Sequence, residues 1–495
     1  MELNDLIKSF RTEKELNASP RPYFNHSVSF KKKYTADERM ETLKRAGLNV
    51  FFFPSEMITG CDFLSDSGTT TMTDEQWAAL HLGDEAYGSN RGYFLLAERI
   101  RETFGKKYFN DPGENRPNAF IFHQGRSAED ALFSLLGETG QNLIIPSNGH
   151  FDTTEANIRA NKIEAKNLFS PELKDENSSS LFKGNMDTIR LEKLLAESRE
   201  RVPVVFLTIT NNTGGGQPVA LDNIRAVAAI AHKYGIPLML DACRFAENAW
   251  FIKKYETGYE NKSIEEIIQE IFSYADGFTI SFKKDGLVNM GGGLFFQDNG
   301  EFLKKYPDLP NRLTDYQIMK EGHPTYGGLS GRDIMALVYG LKTVTREEYL
   351  DHRVGQVRDF GDAMAKAGIP VLSPAGGHAV YLDINRFFAG TAMKPGDFGG
   401  IGLSALLLAL YGHRACELGY FAFGSYDENT GEEKWPEVNY VRFAVPRLRY
   451  EKQDLDAAVA AVKALYDNRD KIPAVNVVYG KNLTLRHFKA RFEFR

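Results

Sequence analysis

The pattern of apolar and polar positions predicts secondary structure most clearly in the middle of the chain. The apolar run VPVVFLTIT at 202–210 predicts a buried strand, and residues 221–234 have the periodicity of an amphipathic helix that ends at Gly235. A further apolar run, IPLMLD at 236–241, predicts a second strand. A strand, a helix and a strand in this order form a βαβ unit, which places the two strands parallel in one sheet.

Two shorter apolar runs extend this region. FTIS at 278–281 and GLFF at 293–296 predict two more strands, so residues from about 65 to 320 are expected to form a layered α/β domain. A chain of 495 residues is too long for one ordinary core, and a second lobe is therefore expected.

The pattern changes in the last third of the chain. Residues 332–367 are mostly helical in periodicity, and apolar runs at 371–382 and 438–445 bracket another helix-rich stretch. This mixture is typical of a smaller α+β lobe. The expected division is 1–64, an N-terminal arm with part of the small domain, 65–324, the large domain, and 325–495, the small C-terminal domain.

Composition narrows the class of protein without changing this picture. The chain is 42% hydrophobic and 25% charged, and its 60 basic and 66 acidic residues are interspersed, with a net charge of −6. This balance gives no reason to expect a nucleic acid or a membrane surface as a partner. The longest apolar run, at 403–411, is too short to span a bilayer, and the first residues lack the apolar segment of a secretory signal.

The cysteines indicate a reducing compartment. Cys61, Cys243 and Cys416 are scattered and have no CxxC spacing, so neither a zinc site nor a disulfide framework is predicted. We interpret all three as small buried hydrophobic residues and expect the protein in the cytoplasm.

Polar residues that directly follow the predicted strands are the first candidates for chemistry. In open α/β sheets, ligands bind outside the carboxyl ends of the strands. Asn212 follows the first of these strands, Asp241 ends the second, and Lys284 comes three residues after FTIS. An amide, a carboxylate and an amine are therefore expected to meet in one crevice.

A fourth element supplies an anion site. The string HQGR at 123–126 precedes a helix-like stretch at 127–137, and the first turn of a helix presents free N–H groups to an anion. Taken alone, each element has a commoner explanation: a surface lysine pair, a helix cap or a simple turn. Their joint order favours pyridoxal phosphate, which needs an anion site, a lysine amine and a carboxylate at its ring nitrogen.

At these residues the sequence resembles the β-eliminating lyases, the family of tryptophanase and tyrosine phenol-lyase. The matching strings run in order through nearly the whole chain: LSDSGT (64–69), GDEAYGS (83–89), HQGRSAE (123–129), FDTT (151–154), GGQPV (215–219), FAENAWFIK (245–253), SFKKD (281–285), PTYGGL (324–329), VPR (445–447) and LRHFKARF (485–492). The resemblance implies an aspartate-aminotransferase-like fold, fold type I of the pyridoxal-phosphate enzymes. It has a mainly parallel sheet in the large domain and a smaller α+β domain. It also implies a homo-oligomer, a tetramer built from dimers whose active sites share residues.

The resemblance also implies residue roles around the cofactor. Lys284 would bind pyridoxal phosphate covalently and, once displaced by the substrate, remove the α-proton, while Asp241 would keep the pyridine nitrogen protonated. The other residues implied to contact the cofactor are Gln124, Gly125, Arg126, Phe151, Asn212, Arg244, Ser281 and Lys283.

For the substrate, the resemblance implies that Arg447 holds the α-carboxylate with Ser65, Ser67 and Asn212. Tyr87 would protonate the leaving aromatic ring, although an isolated tyrosine in a loop is more often a packing residue. Glu85, with the carbonyl groups of Gly68 and Asn289, resembles the family's potassium site; the alternative for Glu85 is a plain surface carboxylate. Oxygen ligands suit such a hard cation.

Three pocket positions set the order of the candidate substrates. Asp152 and His487 match tryptophanases, and Leu418 stands where tyrosine phenol-lyases carry an arginine for the phenol hydroxyl. We therefore place L-tryptophan, cleaved to indole, pyruvate and ammonia, ahead of L-tyrosine. Phe63, Phe282 and His323 depart from the tryptophanase pattern, which leaves S-substituted cysteines or another aromatic amino acid open.

Two other classes of function stay open. An aminotransferase would share Lys284 and Asp241 but would not need Tyr87 or the pair of Asp152 and His487. A catalytically silent oligomeric binding protein is the third possibility, and the presence of Lys284, Asp241 and Arg447 argues against it.

Overall fold

The computed structural model describes residues 20–25, 27–111, 116–175, 178–427 and 429–495. Contacts divide the chain into two units, Met1–Lys31 and Lys32–Arg495. The described part of the first unit contains no helix or strand, and residues 1–19 of the predicted arm lie outside the described residues. The predicted domain boundaries at 64 and 324 stay predictions. All further description concerns Lys32–Arg495.

A seven-stranded sheet is the centre of this unit, with the order β1-β7-β6-β5-β4-β2-β3. Its strands are β1 (Ala119–Phe122), β2 (Ile144–Ser147), β3 (Glu164–Asn167), β4 (Val205–Thr208), β5 (Leu238–Asp241), β6 (Gly277–Ser281) and β7 (Gly292–Phe296). β2 to β6 are parallel, and β7 runs antiparallel to both β6 and β1. The predicted mainly parallel sheet is thereby confirmed.

The strands of this sheet have apolar side chains on both faces. Leu207 and Leu240 belong to the core on one face, and Phe206 and Met239 belong to the core on the other. Successive side chains of a strand point to opposite faces, so a continuous apolar run is what a sheet covered by helices on both sides requires. This explains why VVFLT and LML carry no polar alternation.

Helices cover these faces and continue into the C-terminal part. The described helices are Ala36–Arg45, Asp74–Leu80, Arg91–Phe104, Gly125–Gly137, Asp152–Ala160, Pro171–Lys174, Thr188–Ser198, Leu221–Lys233, Phe245–Tyr255, Ile264–Ser273, Glu301–Lys305, Leu309–Lys320, Gly331–Val344, Glu347–Lys366, Ile384–Phe387, Gly399–Tyr411, Tyr420–Phe423 and Lys452–Asp467. None of them is both long and apolar enough to cross a membrane.

A second, smaller sheet has its own core. It has the order β8-β12-β9, formed by β8 (Ala379–Asp383), β12 (Tyr440–Ala444) and β9 (Cys416–Leu418), all antiparallel. Two hairpins complete the strands: β10 (Ser425–Tyr426) with β11 (Glu433–Lys434), and β13 (Val475–Tyr479) with β14 (Arg491–Phe494). The predicted α+β mixture in this part of the chain is therefore present.

Two predicted elements differ in extent. The helical stretch 332–367 is two helices, because the β-branched run 343–345 disfavours a helix and Glu347 and Glu348 suit the first turn of a new one. The apolar run at 371–382 forms a strand only from Ala379 onward, since Pro374, Gly376 and Gly377 interrupt it.

Candidate active site

A cavity of about 150 Å³ opens at the carboxyl ends of β4, β5 and β6. Asn212, Asp241 and Lys284, which come from the ends of these three strands, all line it. Their convergence follows from the parallel order of the strands, because parallel strands end at the same edge of a sheet. The predicted crevice is therefore present.

The residues that come from strand ends are called the strand-end side below: Gln124, Gly125, Arg126, Asn212, Asp241, Arg244, Ser281, Lys283 and Lys284. All nine line the cavity. So do Ser65, Ser67, Phe151, Asp152 and His487, which the sequence also assigned to the site.

The first turn of the helix Gly125–Gly137 forms the anion end of the cavity. Gln124 precedes the helix without a side-chain cap, so the N–H groups and the positive end of the helix dipole are left for a ligand. A Cβ atom at Gly125 would lie 2.6 Å from the Cβ atom of Ser281, so only glycine lets the helix start approach β6 this closely. The Ser281 hydroxyl and Lys283 complete a set of groups that suits a phosphate.

Lys284 and Asp241 stand at the centre of the cavity. The Lys284 Nζ atom lies 4.0 Å from the Cys243 Sγ atom, and the Cys243 N–H donates to the Asp241 carboxylate at 3.3 Å. Burial raises the pKa of the Cys243 thiol, which keeps it neutral beside the lysine. Burial and then the charges of Lys284 and Arg126 lower the pKa of Lys283.

Glu129 adds a second acid beside Asp241. Its side chain is buried, lines the cavity and accepts a hydrogen bond from the Thr154 hydroxyl at 2.8 Å. Burial and the nearby charge of Asp241 raise the pKa of Glu129 to about 8. Glu129 is therefore mostly protonated at neutral pH.

Arg442, which the sequence analysis missed, faces the cavity from the middle of β12. Its guanidinium donates to Asn212 Oδ1 at 3.3 Å and to the Leu64 carbonyl at 2.9 Å, and it lies 5.9 Å from the ring centre of Phe151. Its Nε atom makes no hydrogen bond to the described residues. A charged residue in the apolar string YVRFAV was the available signal, because a buried arginine needs a partner.

Arg447 lies outside the cavity lining, in a buried cluster of charged residues. Its guanidinium is fully buried, does not line the cavity, and donates to the carboxylates of Asp66 at 3.0 Å, Glu247 at 2.6 Å and Asp285 at 2.7 Å. Burial alone would lower the pKa of Arg447, but these three acids raise it well above its ordinary value. Because its charge is already compensated by protein carboxylates, the predicted role of Arg447 in substrate binding is revised.

Arg244 belongs to the same buried ionic cluster. Two of its nitrogen atoms donate to the two Asp66 oxygens at 3.0 and 2.8 Å, a bidentate pair. Arg353 closes the cluster with a bond of 2.9 Å to Glu247. The cluster ties the turn that carries Ser65 and Ser67 to the helix Phe245–Tyr255 and to the segment after β12.

Three further lining residues are called the histidine side below: Asp152, Leu418 and His487. The His487 Nε2 atom lies 3.0 Å from Asp152 Oδ2, and both side chains are buried. Leu418 belongs to β9 and adds an apolar surface to the cavity. Phe51 and Phe488 pack on the His487 ring at centroid distances of 5.9 and 4.1 Å.

Tyr87 and the predicted cation ligands are outside the cavity lining. Tyr87 is 73% exposed and packs on His323 and Tyr326 at centroid distances of 5.6 and 5.7 Å. The Gly68 carbonyl accepts a hydrogen bond from the Asn289 side chain at 2.9 Å, whereas Glu85 pairs with Arg332 at 3.2 Å.

The departures from the tryptophanase pattern do not reach the cavity. Phe282 is fully buried and packs toward Phe295, while Phe63 lies in the core of the smaller sheet against Phe360 and Phe443. His323 contacts Tyr87 outside it. The lining residues as a whole fit pyridoxal phosphate: an anion end, a carboxylate, an aromatic face at Phe151 and a lysine amine.

Comparisons with known proteins agree with this geometry. The sequence profile of the family described as Beta-eliminating lyase matches residues 62–461, which is most of the chain. The tryptophanase of Rhodobacter capsulatus is 41% identical over 456 residues, 92% of this chain and 95% of the relative. The tyrosine phenol-lyase of Lacrimispora saccharolytica is 40% identical over 476 residues, 96% of this chain and 97% of the relative.

Solved structures support the fold. The threonine aldolase of Leishmania major superposes with a TM-score of 0.53 at 15% identity, covering 82% of this chain and 99% of that one. The serine palmitoyltransferase of Sphingomonas wittichii does so with a TM-score of 0.52 at 12% identity, covering 84% and 88% of the two chains. At such identities the likeness concerns the fold alone.

Proposed function

Because this chain belongs to the β-eliminating lyase family, we propose that it uses pyridoxal phosphate to cleave L-tryptophan into indole, pyruvate and ammonia. The observation that carries the proposal is the buried hydrogen bond of 3.0 Å between His487 and Asp152, beside an apolar Leu418. A carboxylate can accept the indole N–H, and Leu418 gives the cavity an apolar residue at the position where the resemblance puts the arginine of tyrosine phenol-lyases.

The strand-end side performs the steps that any amino-acid substrate would share. Pyridoxal phosphate, when bound, supplies the electron sink for the carbanion at Cα. Lys284 takes the α-proton with its amine, and Asp241 holds a proton on the ring nitrogen. The first turn at Gly125 and Arg126 keeps the phosphate in place. Neutral Glu129 leaves this part of the site with a single carboxylate.

Arg442 is the proposed partner of the substrate carboxylate, in place of Arg447. It lines the cavity, it approaches the ring of Phe151, and its Nε atom is available. A guanidinium binds a carboxylate through two parallel N–H bonds, which also fixes the orientation of Cα. Ser65 and Ser67 border the cavity beside it.

The leaving ring must be protonated at the carbon bound to Cβ, and Tyr87 is the proposed acid. In its own chain it lies outside the cavity lining and is 73% exposed. We therefore propose that the enzyme is a homo-oligomer, a tetramer of paired dimers, in which Tyr87 serves the cavity of a second copy. Potassium at Gly68, Glu85 and Asn289 would then order the loop of Tyr87. The three scattered cysteines, which have no CxxC spacing, suit the cytoplasm.

Mixing two inactive variants tests this arrangement. Tyr87→Phe and Lys284→Ala fail at different residues, so subunit exchange should restore activity if the two residues act in one shared site. Activity that stays at the level of the separate variants after mixing would contradict the shared site.

The proposed substrate is tested by kcat/KM for L-tryptophan, L-tyrosine and S-methyl-L-cysteine with pyridoxal phosphate and potassium, using Lys284→Ala as the blank. We expect tryptophan to exceed tyrosine by at least about a hundredfold, a difference that one recognised polar group can supply. The second candidates are a tyrosine phenol-lyase, favoured by the relative at 40% identity, and a lyase for S-substituted cysteines. An aminotransferase is the remote alternative and would form a keto acid without ring release.

A further inference from the structure

His487 has a second ring nitrogen that the proposed substrate chemistry does not use. While Nε2 bonds to Asp152, the Nδ1 atom is buried and has no hydrogen-bond partner among the described residues. Leaving a buried polar atom without a partner costs about 1–3 kcal/mol, so we expect His487 Nδ1 to have a hydrogen-bond partner.

His487 also borders a second, small cavity. It has a volume of about 20 Å³, and its polar lining residues are His487, Ser404, Glu417 and Asn49, with apolar residues around them. A volume of this size holds one water, and a buried water needs two to four polar partners. His487, the Glu417 carboxyl and the Ser404 hydroxyl supply three; the Ser404 hydroxyl donates to the Gly400 carbonyl at 2.8 Å and can still accept from the water.

The geometry of β9 explains why Glu417 is here. Side chains alternate along a strand, so Cys416 and Leu418 face the active-site cavity and Glu417 faces the other way. Glu417 is 5% exposed, and its two oxygens accept the Phe421 and Ala422 N–H groups at 3.0 Å each. Each oxygen keeps a second lone pair for the water.

We propose that Glu417 is a positioning residue that, through one water in the small cavity, holds a proton on His487 Nδ1. His487 is then an imidazolium between two carboxyl groups and keeps Asp152 in the carboxylate form that receives the ring N–H of the substrate. This inference rests on the proposed function, because it assigns the charge state of the same histidine side.

The charged groups around the pair support this arrangement. Glu417 is near Arg486 and His487, and Asp152 faces the histidine from the helix Asp152–Ala160. The Cys416 thiol, with its pKa raised by burial to about 12, stays neutral beside them, and Arg442 and Arg414 lie beyond it. Burial also raises the pKa of Glu417 to about 6. Glu417 is thus ionised at neutral pH and becomes neutral in mild acid, where its hold on the Nδ1 proton ends.

Nitrogen NMR of ¹⁵N-histidine-labelled holoenzyme tests the proposal without depending on any substrate. At pH 7.5 the wild-type His487 Nδ1 should give the signal of a protonated nitrogen, assigned by its loss in His487→Gln. Glu417→Gln should convert that signal to the unprotonated type. The matched control is Glu433→Gln, which removes another acid near Arg486 and should leave the signal unchanged.

A second variant covers the case in which Glu417→Gln does not fold. Ser404→Val fills the small cavity and keeps Glu417, so it should cause the same change of the His487 signal. An unprotonated Nδ1 in the wild type, or a protonated Nδ1 in either variant, would overturn the role of Glu417.

Kinetics separate this role from general damage and from failure of the proposed function. We expect Glu417→Gln to lower kcat for L-tryptophan about tenfold and to change kcat for S-methyl-L-cysteine less than about twofold, a ratio corresponding to one recognised group. Equal losses with both substrates would mean a merely structural role. If the wild type releases no indole at all, the proposed function fails, and the NMR result still decides the role of Glu417.

Discussion

The strand-end side and the histidine side of the cavity are built in different ways. The strand-end side takes its residues from positions just after β1, β4, β5 and β6, so the topology of the sheet alone brings them together. The histidine side joins Asp152 to Leu418 and His487. His487 is 335 residues from Asp152 in the chain, so they meet only through packing of the C-terminal segment.

In the proposed function, this difference corresponds to two tasks. The residues that the topology brings together would hold the cofactor phosphate and its ring nitrogen and move the α-proton, which are the same for every amino-acid substrate. The residues brought together by long-range packing would contact the leaving group, which differs between substrates. The relatives at about 40% identity carry both substrate names, which fits a shared strand-end side and a variable histidine side.

The largest expected effect comes from Lys284. Lys284→Ala should lower kcat at least about 10⁴-fold for every substrate, because it removes both the cofactor attachment and the base. Steady-state pyruvate release and the visible absorbance of bound cofactor are the measurements. Lys283→Ala is the matched control and should lose about tenfold or less. Selective loss with tryptophan alone would break the separation of the two sides.

Arg447 is expected to act on stability. Arg447→Met leaves Asp66, Glu247 and Asp285 buried without their shared cation, which should cost about 3–5 kcal/mol of unfolding free energy. Urea unfolding measures it, with the exposed Arg449→Met as the control. Normal stability combined with a raised KM would instead mean that Arg447 binds the substrate carboxylate.

Arg442 provides the opposite pattern. Arg442→Met should raise KM about a hundredfold for tryptophan, tyrosine and S-methyl-L-cysteine alike, because a charge-assisted bond to a carboxylate contributes about 1.5–3 kcal/mol. Arg442→Lys should recover part of the loss. Unchanged KM in the methionine variant would place the α-carboxylate elsewhere in the cavity.

The smallest expected effect is a change of substrate preference on substitution of Leu418. Leu418→Arg introduces a cation at the histidine side, so kcat/KM should fall about tenfold for L-tryptophan and rise severalfold for L-tyrosine. S-methyl-L-cysteine should change less than about twofold, and Leu418→Met is the size-matched control. A parallel fall with all three substrates would mean that position 418 affects the fold and not the leaving group.

The same contrast governs what could be predicted from the sequence. The strands β4, β5, β6 and β7 lie within or beside the predicted runs because long apolar stretches leave little choice. Two of the strands begin later than the predicted runs, because Pro203 and Pro237 precede the observed starts of β4 and β5. β1, β2 and β3 were not predicted from the sequence.

Residue patterns alone could not identify Arg442 as the arginine that faces the cavity. Arg442 lies in the middle of β12 and Arg447 lies three residues beyond its end, and either could face the cavity until the register of β12 between β8 and β9 is known. The carboxylates that neutralise Arg447 come from three distant segments, so no local pattern could reveal them. Glu417 is similar, since its role depends on which face of β9 it occupies.

The measurement that tests the account most directly is the amount of indole and pyruvate released from L-tryptophan by the holoenzyme with potassium. The account predicts equal amounts of the two products at a rate that Lys284→Ala abolishes. Pyruvate from S-methyl-L-cysteine without any indole from tryptophan would contradict the assignment of the histidine side, while leaving the strand-end side intact.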